Sequence, residues 1–222
     1  MQYKLSPHSL NQYNECHRCF YQNVKEKKAR PKGHFPSLPS GMDLVIKKHF
    51  DEYRGTNQLP PELRNLHDLE GTVLFDNKKL LSEWRNQWKG LFWKDAKGNI
   101  LHGALDDVLI KDDNLIVMDY KTRGFPLKEK PTYYQLQLDV YDFLLQKNNH
   151  PAADYAFLLF YYPVRLMKTE NVLFKFNTEL VKMNVDAGNA QKTFADAVTI
   201  LEGAKPKKNE KCEFCQFSVF AR

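Results

Sequence analysis

No stretch of this 222-residue chain is apolar for long enough to cross a bilayer. The longest apolar run, from Tyr155 to about Val164, falls well short of the ~20 residues that a spanning helix requires. The opening segment, MQYKLSPHSL, has no apolar core behind a charged start, so it is not read as a secretory leader. These two absences predict a soluble, cytoplasmic protein with no membrane partner. No internal repeat and no low-complexity segment interrupts the chain, and a single domain over residues 1–222 is expected. Cysteine is scarce. The four present are split between the ends as Cys16/Cys19 and Cys212/Cys215. In a reducing compartment two such C-x-x-C pairs read as a metal site more readily than as disulfides.

What is present favours a folded mixed α/β protein. Hydrophobic residues make up 42% and charged residues 27%, a balance that supports a packed core rather than disorder. The formal net charge of +6 has two readings of equal weight, solubility and attraction to a polyanion such as DNA or RNA.

Periodicity supplies an element map. Ser6-Pro7 looks like a helix start, and the spacing of Leu10, Tyr13, Phe20 and Val24 predicts one helix over about 7–25. Cys16 and Cys19 then lie one turn apart on it. A basic, proline-rich loop follows (26–40), then a helix over about 41–54 with Met42, Val45, Ile46 and Phe50 on its apolar side. Residues 55–77 read as irregular, and 78–88 as a short helix. Three β-rich segments, 91–94, 100–110 and 115–122, are separated by AKGN and KDDN and predict an antiparallel meander. A helix over 132–147 and strands near 155–162 and 171–176 come next. A long helix over 178–203 is expected from Leu180, Ala187, Phe194 and Leu201. A basic linker, KPKKNEK, leads to the terminal CEFC.

The meander carries the candidate chemistry. Side chains alternate faces along a strand, so Asp119 and Lys121 share one side. Asp106, expected on the strand before, is brought toward them by the tight hairpin at 111–114. Two carboxylates on an apolar sheet need a cation or a proton between them. A hard divalent ion such as Mg²⁺ or Mn²⁺ meets that need through oxygen ligands. A lysine beside it can orient or help deprotonate a water, which makes a site for phosphodiester hydrolysis. Gln137 and Tyr141, four apart, share one face of the following helix. Asp107, next to Asp106, points to the opposite face and reads as structural.

The combination HGALDDVLI, LIVMDYKT and QLQLDVY resembles the RecB-type branch of the PD-(D/E)XK nuclease superfamily. That branch includes the iron–sulfur exonucleases of CRISPR adaptation and the nuclease domains of recombination helicases. The resemblance implies an αβββαβ core within 41–176, extra helices, and termini (1–25 and 204–222) joined at a four-cysteine site. It implies metal-dependent cleavage of DNA, single- or double-stranded, with protein partners in repair, recombination or CRISPR adaptation. Asp106 and Asp119 match the metal-binding acids, Lys121 the catalytic lysine, and Gln137 and Tyr141 residues that contact substrate or order the site. A catalytically silent module that binds nucleic acid or a partner is the alternative.

One departure stands out. The family often places a metal-binding histidine in a G-x-x-x-H pattern on the helix before the meander, but here Val45 follows Gly41 at that spacing. His49 on the same helix is carried as a candidate metal ligand, with Asp43 as its rival.

Four thiolates at Cys16, Cys19, Cys212 and Cys215 suit a tetrahedral Zn²⁺ or an iron–sulfur cluster equally well by physics alone. ECHRCFYQ and CEFCQF resemble the cysteine segments of the cluster nucleases, which tips the expectation to [4Fe–4S]. Those relatives carry a last cysteine where this chain has Ala221, and usually lack one where this chain has Cys19.

Overall fold

A computed structural model describes residues 1–31, 37–168 and 172–216. Phe217 and Ala221, which enter the cysteine-segment comparison, lie outside the described residues, as do parts of the 26–40 loop and the start of the strand expected at 171.

A short strand, β1 (Lys4–Leu5), leads into the N-terminal helical region, which is two helices and not one. α1 (Pro7–Glu15) opens on Ser6, whose hydroxyl accepts the Ser9 N–H while Ser9 Oγ accepts the Ser6 N–H. Cys16 then turns extended, at φ −164° and ψ 107°. Its N–H closes α1 on Gln12, and its sulfur accepts the Cys19 N–H to open α2 (His17–Val24). One extended residue leaves the apolar spacing almost unchanged, so periodicity cannot reveal such a break.

α3 (Ser37–Asp51) starts and ends earlier than predicted and buries Ile46 and Phe50. Val45, expected on the apolar side, is exposed. The irregular segment holds two single 3-10 turns, Pro61–Leu63 and His67–Leu69, and then β2 (Val73–Leu74). α4 (Lys78–Arg85) stops before Trp88.

The predicted meander divides between two sheets. β3 (Leu91–Lys94) and β4 (Ile100–Gly103) pair antiparallel, with β1 parallel on the other edge of β4. The expected strand over 100–110 breaks at 104–106, and its second half is β5 (Asp107–Lys111). β5 pairs antiparallel with β6 (Asn114–Thr122) in a five-stranded sheet of order β2-β5-β6-β7-β8. The hairpin loop is two residues, shorter than the four expected. Asp112 and Asp113 both adopt positive φ, 49° and 62°, the left-handed pair that a tight right-twisted hairpin uses.

Helix α5 (Gln135–Lys147) crosses over to β7 (Tyr155–Lys168), which lies parallel to β6. β8 (Val172–Asn184) returns antiparallel along β7. Residues 178–184 are therefore strand and not helix, and Leu180 lies in β8. Pairing with β7 overrides the seven-residue spacing. α6 (Ala187–Glu202) instead begins at Asp186, whose carboxylate accepts the Asn189 N–H. α7 (Glu213–Gln216) ends the described chain.

The five-stranded sheet is covered on both faces. Val108, Val117, Leu158 and Phe160 pack with Leu138 and Phe143 of α5 and Phe194 of α6. Leu109, Ile116, Met118, Tyr120 and Phe157 pack with Ile46 and Phe50 of α3. Each such large side chain contributes ~1.5–3 kcal/mol when fully buried. The order α3-β2-β5-β6-α5-β7 is the αβββαβ arrangement, with α4, β3 and β4 inserted between its first two strands. Among the described residues no helix is long and apolar enough to cross a membrane.

Candidate active site and four-cysteine centre

Asp119 sits mid-way along the inner half of β6, on the face that α5 covers, and is 1% exposed. Its flanks in the period-two pattern, Val117 and Lys121, share that face. Gln137, in the first turn of α5, meets it there. The Gln137 amide donates to Asp119 Oδ1 at 3.1 Å and to the Tyr141 hydroxyl at 2.8 Å. Its carbonyl oxygen accepts from Lys121 Nζ at 3.3 Å. One side chain thus joins three of the predicted site residues. Lys121 also lies over the Tyr134 ring, 4.5 Å from its centroid, and its ammonium contacts Asp119 Oδ2. That contact is an ion pair only. Oδ2 is buried and makes no hydrogen bond.

Asp106 is not on a strand but in the bend between β4 and β5. Its Oδ2 accepts the Tyr120 N–H at 3.1 Å, which ties it to the residue after Asp119. Its Oδ1 lies 2.8 Å from Lys47 Nζ of α3. Its main-chain carbonyl accepts from Arg85 Nε at 2.8 Å.

Burial pushes the Asp119 carboxyl up to about 7, and the Asp106 charge adds to this while Lys121 opposes it. Burial also raises the Tyr141 hydroxyl well above its ordinary value, with Asp119 and Asp106 adding to it. Asp119 Oδ2 makes no hydrogen bond and has only the Lys121 ammonium against it, so with Asp106 it leaves oxygen donors that fit a hard divalent cation.

His49 is placed elsewhere. Its Nε2 is 3.2 Å from Glu62 Oε2, and its ring meets Phe50 and Tyr53 edge-on. Glu62 is held in turn by the Tyr161 hydroxyl at 2.7 Å. Asp43 is joined to the site through Lys47, whose ammonium it accepts at 2.8 Å. Six residues of helix separate Asp43 from His49 by about 120° around the axis, so the two never shared a face. The same geometry puts Lys47 above Asp43, an i, i+4 pair visible in the sequence.

Behind the site lies a buried ion network with no sequence signature. Asp107 Oδ2 accepts from Arg54 at 2.5 Å, from Arg85 at 3.0 Å, and from the Tyr120 hydroxyl. Arg54 and Arg85 both bind Asp51 as well. The side chains of Arg54 and Asp107 are fully buried. Asp107 does point away from Asp119, and it anchors the bend that presents Asp106. Gly103, the first residue of G-x-x-D, sits under α5. A Cβ there would come within 2.8 Å of the Tyr141 ring.

The four cysteines converge as expected. Cys16 Sγ is 3.6 Å from Cys215 Sγ, Cys19 Sγ is 3.6 Å from Cys212 Sγ, and all four sulfurs lie within 4.8 Å of one another. They form no disulfide. Cys16 is the break between α1 and α2, and so it is a cap rather than a helical residue. Burial pushes the Cys19 thiol up to about 12, against the pull of Arg30. Burial acts upward on Cys212 too, but the Cys215 N–H and the neighbouring thiols outweigh it and leave that thiol low. Arg30 Nη2 stands 3.9 Å from Cys212 Sγ. The basic linker is fastened to α2 by Arg18 on the Pro206 carbonyl at 2.9 Å, and to the residues just after α2 by the Lys205–Glu26 pair at 2.6 Å.

Comparisons place this architecture. No curated protein matches the sequence. A solved structure titled "Crystal structure of SSO0001" is similar at 16% identity over 97% of this chain and 84% of its own, with a TM-score of 0.45. The family model of the PD-(D/E)XK nuclease superfamily matches residues 4–220. With a match that spans nearly the whole sequence, the chain belongs to the PD-(D/E)XK nuclease superfamily.

Proposed function

We propose that this protein is a metal-dependent deoxyribonuclease whose site is Asp106, Asp119, Lys121, Gln137 and Tyr141. The observation that carries the reading is the Gln137 amide, which binds Asp119, Lys121 and Tyr141 at once beside a buried Asp119 oxygen that makes no hydrogen bond and meets only the Lys121 ammonium. Asp106 and Asp119 would hold a divalent ion, which would supply Lewis-acid polarisation of a phosphoryl oxygen. The protein's own groups supply the rest. Lys121 presents an ammonium at Asp119, where it can balance charge on a phosphate and exchange a proton with the attacking water. Gln137 fixes the rotamers of Asp119 and Lys121, and Tyr141 braces Gln137 from below. The net charge of +6 suits a polyanionic substrate.

The cysteine centre supports a different ion from the one the resemblance implies. Zn–S bonds of ~2.3 Å set tetrahedral thiolates about 3.8 Å apart. Three of the six sulfur–sulfur separations, 3.6–3.8 Å, are close to that spacing, and all six lie within 4.8 Å. A cubane cluster is a larger body and holds its thiolates farther apart. A single Zn²⁺ in a structural role is therefore our reading, and a reducing compartment is the setting it requires.

The deciding assay incubates the purified chain with labelled single- and double-stranded DNA, and with RNA, in Mn²⁺, Mg²⁺ or EDTA. Cleavage of DNA with either ion and none in EDTA is expected. Metal-independent cleavage, or preference for RNA, overturns the reading.

A further inference from the structure

α3 brings a cation to Asp106. Lys47 Nζ lies 2.8 Å from Asp106 Oδ1 and 2.8 Å from Asp43 Oδ2, so one ammonium bridges two carboxylates. The other Asp106 oxygen is committed to the Tyr120 N–H. Oδ1 is therefore the oxygen left for a metal, and it is the one Lys47 holds. An ammonium and a divalent ion cannot both sit at contact distance from one oxygen without strong repulsion. Lys47 is well covered, with 18% of its side chain exposed, whereas Asp43 stands at 36% and faces outward.

We propose that Lys47 is a tethered counter-cation that competes with the divalent ion for Asp106, and that Asp43 receives the ammonium when the ion binds. This rests on the reading of Asp106 and Asp119 as metal carboxylates. Asp43 lies one turn before Lys47 on the same helix, so the ammonium can pass from two partners to one by rotamer change alone. Two consequences follow for the chain itself. Lys47 keeps the acidic cleft charge-balanced when metal is scarce, and it sets the ion concentration at which the site loads.

The test compares the wild-type chain with Lys47→Met, in Mn²⁺ titrations followed by electron paramagnetic resonance and in thermal unfolding with EDTA or saturating Mn²⁺. Mn²⁺ is a poor match for the thiolate centre, so the titration reports the oxygen site. Lys47→Met is expected to bind Mn²⁺ roughly tenfold more tightly, as befits loss of one partly buried competing charge. It is expected to melt below wild type in EDTA and to recover in Mn²⁺. Lys47→Arg, which keeps the charge, should stay near wild type. Asp43→Asn should weaken Mn²⁺ binding several-fold in the wild-type background and change nothing in the Lys47→Met background, because Asp43 acts only through Lys47. Unchanged or weaker Mn²⁺ binding by Lys47→Met, with an equal melting loss in both media, overturns the proposal. Should Lys47→Met fail to fold, Lys47→Gln is measured in the same way, and Asp43→Asn alone decides if that fails too. An Asp106→Asn chain that binds Mn²⁺ like wild type removes the underlying metal reading instead.

Discussion

Gln137 donates to Asp119 Oδ1 at 3.1 Å, and its second N–H is spent on Tyr141 at 2.8 Å. Its amide is therefore fully engaged, and truncation frees three neighbours together. Gln137→Ala is expected to lower kcat by roughly 10–100-fold, as for other groups that orient a metal ligand, with a melting temperature within a few degrees of wild type. Steady-state cleavage and a melting curve check it, and wild-type cleavage sends Gln137 back to the scaffold.

Asp119→Asn separates chemistry from stability. The buried carboxylate, with a pKa of about 7, is held at a cost that a neutral amide does not pay. Cleavage should fall by about a thousandfold or more while the melting temperature in EDTA rises or holds. Lys121→Met should also abolish cleavage. Retained cleavage in either variant removes that residue from the mechanism.

Arg54 and Asp107 form a wholly buried pair that also supports the Asp106 bend. Arg54→Met leaves Arg85 and the Tyr120 hydroxyl as the remaining partners of Asp107 and is expected to destabilise the protein by about 1.5–3 kcal/mol. Chemical denaturation measures this. A loss under about 1 kcal/mol means that the pair is not a keystone of the fold.

Asp142, on the far side of α5, gives a pH signature apart from the active site. Burial raises its carboxyl to about 6, with Asp139, Asp154 and Asp186 adding and Gln146 opposing. Its folded pKa lies above its unfolded value. Its share of stability is thus fully present at pH values below about 4 and is lost as pH rises through about 6. Asp142→Asn should be more stable than wild type at pH 7.5 by on the order of 1–2 kcal/mol, and the advantage should fade toward pH 4. Melting curves across that range would show a flat difference if the carboxyl is ordinary.

The cysteine centre is expected to yield a colourless protein with about one zinc per chain on elemental analysis. Cys212→Ser should lose that ion and several degrees of melting temperature, since ion binding and closure of the segment are coupled. A brown protein with iron and sulfide restores the cluster that the sequence resemblance implies.

Much of the site was legible in sequence because its logic is local. Period two placed Asp119 and Lys121 on one face, and an i, i+4 pair placed Gln137 and Tyr141 on another. The tight Asp112–Asp113 turn then fixed the hairpin. What escaped depends on contacts distant in sequence. The break before Asp106 is held by Arg85, 21 residues away, and nothing in the composition marks it. The strand over Val172–Asn184 exists because β7 is beside it. The break at Cys16 costs the periodicity almost nothing. Lys47 carries no ligand signature, since the helix supplies a cation there.

Gly103 and Tyr141 limit how this protein can change over generations. Any side chain at 103 meets the Tyr141 ring, and yielding by the ring shifts the floor beneath Gln137. Alanine at 103 would press on both Tyr141 and Leu144, and a smaller residue at 141 would itself remove the hydroxyl that Gln137 binds, so a lineage loses at the site in either order. The two positions form an epistatic pair, coupled in replacement as well as in space.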